Sequence, residues 1–135
     1  MTEPLKDSIR QWLTVAEDDL QAYKVLASED APPAIAVCFH CQQYVEKLLK
    51  AVLTLNGEEV PKTHDMRSLS IAASRYVPDM RTLIDDVSEL TVYGVETRYP
   101  AAIEISDAEI KQAVKIASET GAVLKEYLTK SLKND

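Results

Sequence analysis

Apolar side chains recur at spacings of three and four along most of the chain, the period of helices with one buried face. Leu5, Ile9, Trp12, Ala16, Leu20, Tyr23 and Ala27 form the first such stripe, broadened by Leu13 and Leu26. They predict a helix over residues 5–28, with Asp18 and Asp19 facing away or at its edge. SEDAPP then stops it: Pro32-Pro33 cannot continue a helix, although Pro33 can open the next. That next stretch, Ile35 to Leu55, is the longest and most apolar. Cys38, Cys41, Val45, Leu48, Val52 and Leu55 make its stripe, widened by Phe39, Leu49 and Leu53 on one side and Tyr44 on the other. His40, Gln43, Lys47, Lys50 and Thr54 fall opposite. Gln42 and Glu46 do not: both project into the apolar arc. A buried carboxylate is costly unless paired or protonated, so Glu46 calls for a cation or hydroxyl from elsewhere.

Asn56-Gly57 is a suitable C-terminal cap. After the loop GEEVPKTHD, Thr63 is the expected N-cap of a short third helix, with Asp65 in its first turn and Leu69, Ala72, Ala73 and Tyr76 as its apolar set. A fourth helix is expected from Asp79, on the stripe Met80, Leu83, Val87, Leu90. Gly94 weakens it and Pro100 disfavours helix at Tyr99, so VYGVETRYP reads as a helix end followed by irregular backbone. Ser106-Asp107-Ala108-Glu109 is a capping box opening a fifth helix to about Leu132. Its stripe is Ile110, Ala113, Ala117, Leu124, Leu128, and Gly121 would let a neighbour approach. The expectation is one all-α domain over residues 1–135, an up-and-down four-helix bundle with an additional short helix.

Composition narrows what such a bundle could do. A length of 135 residues supports a core without disulfides, and few aromatics and three glycines suit helices. A net charge of −7 lacks the broad basic footprint of a nonspecific nucleic-acid binder, while leaving room for a local basic site. No apolar run is long enough for a membrane span, and MTEPLKDSIR lacks the pattern of a signal peptide. Two cysteines in one helix, without a targeting segment, point to the cytoplasm.

Cys38-Phe39-His40-Cys41 resembles a metal box, but structural zinc needs four ligands and both thiols lie on the apolar stripe, so core packing is expected and no metal or other cofactor. His40 shares its face with Gln43 and Lys47, a set that could hold a phosphate or serve acid–base chemistry, or simply be a solvated or dimer-facing surface. His64, in PKTHD, could donate a proton or contact a phosphate, with Lys62 and the N–H groups of a helix start adding positive potential; it could equally be tied into the loop by a hydrogen bond. Arg98 could grip a phosphate, cap the fourth helix, or pair with Glu46. No Gly-rich phosphate loop and no nucleophile–histidine arrangement occurs.

Four pieces together resemble a known family: WLTVAEDDLQA (12–22), CFHCQQYVEKLLKA (38–51), PKTHD (61–65) and TRYP (97–100). The chain is similar, over nearly its whole length, to HEPN domains, named for higher eukaryotes and prokaryotes nucleotide-binding. The resemblance implies a four-to-five-helix bundle, usually a homodimer, and in prokaryotes often a minimal nucleotidyltransferase partner in systems resembling toxin–antitoxin pairs. Many members are metal-independent endoribonucleases, with an Arg followed four to six residues later by a His. Arg98 matches that Arg, but the residues after it, Tyr99 to Ile105, include no His. The expected function is therefore a non-catalytic module binding a nucleotide or RNA, or a nucleotidyltransferase partner. Arg98, His64, Lys62, Lys47 and His40 would face the anion, and Glu46, Gln42 and Tyr99 would be structural. The alternatives are an endoribonuclease with a diverged site, using Arg98 and a histidine from another segment, and a ligand-free interaction dimer.

Overall fold

The computed structural model describes residues 1–94 and 104–134. Three long helices dominate: α1 (Glu3–Ala27), α2 (Ala34–Leu55) and α5 (Asp107–Lys133). A short α3 (Met66–Ser74) and a broken segment over residues 78–93 occupy the remaining side of α2. No strand occurs among the described residues, and the expected all-α class holds. The expected fourth helix is the exception. It divides into a 3-10 turn (Pro78–Thr82), a five-residue α4 (Ile84–Ser88) and a second 3-10 turn (Glu89–Tyr93). Met80, Val87 and Leu90 still reach the core, so short pieces suffice to bury the stripe without one continuous hydrogen-bond ladder.

Helix α2 is the axis of the molecule. Thirteen of its residues are buried, because α1 and α5 flank it and α3 with the second 3-10 turn covers another side. Its C-terminus is a Schellman motif: Gly57 adopts φ 73°, the Gly57 N–H donates to Thr54 O and the Glu58 N–H to Leu53 O. The Asn56 side-chain amide donates to Val52 O and to the Tyr127 hydroxyl, fastening that end to α5. The capping box at Ser106 and Glu109 forms as expected. Gly121 is needed where α5 crosses α2, since a β-carbon there would lie 2.5–2.8 Å from the Tyr44 ring.

The cap of α3 differs from expectation. Asp65, not Thr63, is the N-cap and accepts from the Arg67 N–H; the Thr63 hydroxyl accepts from the Asp65 N–H one step earlier. The Met66 N–H donates to the Thr91 hydroxyl. Two of the N–H groups expected to lie open at this helix start, those of Met66 and Arg67, are thus engaged. The Thr91 contact also fixes the 3-10 turn that ends at Gly94 against α3.

Candidate functional site

Two buried carboxylates on opposite flanks of α2 organise the polar chemistry. Glu46 lies within the apolar arc, as its position implies, with 4% of its surface exposed. Its Oε1 accepts from His64 Nδ1 and from Gln42 Nε2, each at 2.8 Å, and its Oε2 from Lys50 Nζ at 3.2 Å. The cation it needed is therefore supplied by Lys50, one turn along its own helix, together with the imidazole of the loop. The sequence pattern set Lys50 on the solvent face. It is instead buried, its aliphatic stem covered and its ammonium drawn to Glu46. Arg98, the other candidate partner, lies outside the described residues, as does Tyr99.

Gln42 is fully buried and its amide is saturated. Its Nε2 donates to Glu46 and to Met66 Sδ at 3.3 Å, and its Oε1 accepts from Gln43 Nε2 at 2.7 Å. Gly94 packs on that amide, where a β-carbon would come within 3.3 Å. The contact to Glu46 uses His64 Nδ1 and leaves Nε2 on the side of the ring away from the carboxylate. The ring is about half exposed, and Lys62, two residues earlier, is exposed as well.

Asp19 anchors the second cluster. At 6% exposure it takes the second of the two places the pattern allowed, the edge of α1's buried stripe, and turns toward α2. Its Oδ1 accepts from His40 Nδ1 at 2.8 Å and its Oδ2 from Lys47 Nζ at 2.5 Å. His40 and Lys47 are therefore joined, as their shared face implied, but through a carboxylate that periodicity on α1 alone did not reveal. The signal was available: a third acidic residue in EDD on the edge of an apolar stripe, opposite a histidine and lysine seven residues apart. His64 and His40 do not share one cluster. Each is clamped through Nδ1 on a different flank.

The cysteines pack as small core residues. Cys38 and Cys41 are free thiols with no exposed surface. Burial pushes the Cys38 thiol up to about 11 and raises that of Cys41 further. Tyr44 is pushed up to about 12, first by burial and then by Glu17. Neither thiol is poised as a nucleophile or ligand, since both jobs need the thiolate.

No helix among the described residues is long and apolar enough to cross a membrane. No curated protein and no solved structure matches the chain significantly. The family model of the HEPN domain matches residues 9–127, from the first core residue of α1 to the tyrosine that fastens α5 to the end of α2. That match spans most of the chain and the all-α bundle agrees with it: the chain belongs to the HEPN domain family.

Proposed function

We propose that this chain is a non-catalytic HEPN module that binds a nucleotide or an RNA end through His64, with Lys62 and Arg98 supplying further charge. The observation that carries the reading is the clamp on His64. Glu46 fixes the ring from below through Nδ1, leaving Nε2 pre-oriented toward solvent on an exposed loop. A side chain held this way loses little freedom on meeting a phosphate. Gln42 and Lys50 hold the Glu46 carboxylate in place by hydrogen bonds, so they support the site without touching the ligand. Arg98 joins the set because it matches the arginine of the family's motif. The functional unit is a homodimer working with a minimal nucleotidyltransferase in a toxin–antitoxin-like system in the cytoplasm, as many prokaryotic HEPN domains do.

The test is thermal stability with and without about 1 mM of each nucleoside triphosphate. A dissociation constant near 100 μM adds about 1.4 kcal/mol by mass action, several degrees for a domain this size. The shift should disappear in His64→Ala and in Arg98→Lys. No shift with any nucleotide removes mononucleotides as the ligand.

A second reading has one observation behind it. A histidine oriented by a carboxylate is also the arrangement of a general base, able to take the proton of an RNA 2′-hydroxyl. RNA cleavage in the presence of a chelator, abolished by His64→Ala, would make the protein an endoribonuclease whose histidine comes from the loop after α2.

A further inference from the structure

Helices α1 and α5 both pack along α2 but touch each other little, and two cavities lie in the furrow between them. The first, about 670 Å³, is bounded by Ala27 and Pro32, where α1 ends and the chain turns, and by Ile110 and Val114 of α5. The second, about 410 Å³, has Leu13 and Ala16 of α1 on one side and the covered side chains of Tyr44 and Leu48 of α2 beneath. Lys125 and Thr129 of α5 close its other side. Both cavities thus have apolar surface within and charge at the rim. The rim is unequal: six carboxylates and three lysines border the two cavities. Glu17, Asp18, Glu29 and Asp30 stand on α1 or the turn after it, from which no lysine lines the furrow, while all three lysines stand on α5. Among the described residues, only Glu17 and Lys125 of this set form an ion pair. It crosses the furrow at 3.3 Å and is exposed at both ends, a kind of pair that yields readily.

We infer that this furrow is the docking site for one amphipathic helix of a partner protein, with an apolar stripe toward the cavities and a basic edge against α1. Charge names the occupant. RNA or an anionic lipid surface meets net repulsion at this rim, and a second copy of the chain, at −7, brings the same acidic excess. Lysines or arginines along one edge of a partner helix instead meet Asp18, Glu29 and Asp30, which are exposed and make no ion pair among the described residues. Length sets the shape of the occupant. Val114 borders the first cavity and Thr129 the second. Along α5 the rise between them is about 22 Å. A small molecule fills one cavity and leaves the other. A helix of about four turns or more enters both, with side chains at every third and fourth position lying in the furrow between two existing helices. No residue of the Glu46 and His64 network lines the furrow, so the inference does not depend on what His64 binds.

The experiment uses a fluorescein-labelled peptide helix of about 18 residues, five turns long, with leucines on one face and lysines on the other. Its controls are a scramble of the same composition and a version with glutamate for lysine. The leucine–lysine helix should bind about tenfold tighter than the scramble or more, and the glutamate version should not bind. Glu29→Lys with Asp30→Lys should weaken the helix about tenfold or more. Glu59→Lys with Asp86→Lys makes the same change of charge on exposed residues outside the furrow, and should weaken it by no more than about twofold. Val114→Ser and Leu13→Ser, one for each cavity, should each weaken it about fivefold, with helix content measured alongside by circular dichroism. Equal loss in the two charge-reversed proteins shows attraction by net charge alone and overturns the docking site. A scramble that binds as tightly overturns the amphipathic helix. Loss in Val114→Ser but not in folded Leu13→Ser overturns one helix across both cavities. A dimer that Glu29→Lys with Asp30→Lys dissociates in light scattering gives the furrow to a second copy and overturns the inference too.

Discussion

The two histidine–carboxylate–lysine clusters on α2 use the same three residue types and differ in what holds them. In the Asp19 cluster the carboxylate comes from α1 and both partners from α2, so two long helices fix every member. In the Glu46 cluster the carboxylate, its lysine and Gln42 come from α2, but the histidine arrives on the loop between α2 and α3. Lys50 is the more deeply buried lysine and His64 the more exposed histidine. The Glu46 cluster therefore joins a structural ion pair to a contact from a loop, whereas the Asp19 cluster is a clamp whose partners both reach solvent. Burial of the lysine decides what losing the carboxylate costs, and exposure of the histidine decides what the site can meet.

The sharpest way to break the comparison is Glu46→Ala. It strands the Lys50 ammonium in a site with almost no solvent, and the expected loss is about 3–5 kcal/mol in urea unfolding. The double variant Glu46→Leu with Lys50→Met should recover most of it, since apolar side chains of similar size often replace a buried pair without loss. A Glu46→Ala protein as stable as the parent would mean that Lys50 escapes to water and that the network is not structural.

Asp19→Asn should cost less, about 1–3 kcal/mol, the value of hydrogen bonds to a charged group. His40 and Lys47 keep enough exposure to be solvated when the carboxylate is gone. A loss equal to that of Glu46→Ala in the same titration would show that exposure of the cations does not set the difference.

These expectations mark how far the sequence carries. The three long helices, both glycine roles and the capping box follow from spacing and cap chemistry, which are local. Glu46 was legible as a buried carboxylate needing a partner, because its angle on α2 sets it among Phe39, Leu49 and Leu53. Its partners were not. Lys50 counts as solvent-facing on a helical wheel, which does not show that its ammonium turns to Glu46 and is buried with it. Asp19 was legible only as a possible edge residue, since which edge of α1 meets α2 depends on how the helices cross. The break-up of residues 78–93 was hidden because a broken chain and a helix bury the same stripe of Met80, Val87 and Leu90.

The core side of α2 gives a contrast in pH. Cys38, Cys41 and Tyr44 are all raised by burial, so the folded state binds their protons more tightly than the unfolded chain does. Their stabilising share is complete below the unfolded thiol's pKa of about 9 and is lost as pH rises through the folded values, about 11 for Cys38. Urea midpoints should therefore hold steady from pH 7 to 9 and fall from 9 to 11. Cys38→Ala with Cys41→Ala, whatever its effect at pH 7, should flatten that fall. An unchanged slope would assign it to other groups.

The smallest expected effect on stability is the most informative about function. His64 is about half exposed and adds one of three donors to Glu46, so His64→Ala should shift stability by no more than about 0.5 kcal/mol. Lys50 and Gln42 still satisfy the carboxylate. If His64 is the proposed ligand contact, the same change removes it, so nucleotide-dependent stabilisation should vanish. His64→Gln separates orientation from charge, because its amide can reach the carboxylate but carries no titratable proton. Nucleotide binding retained in His64→Gln would make hydrogen bonding to the phosphate sufficient; loss in both variants would require the imidazole itself. A large fall in stability in His64→Ala would reverse the comparison, making His64, like Lys50, a structural member of its cluster.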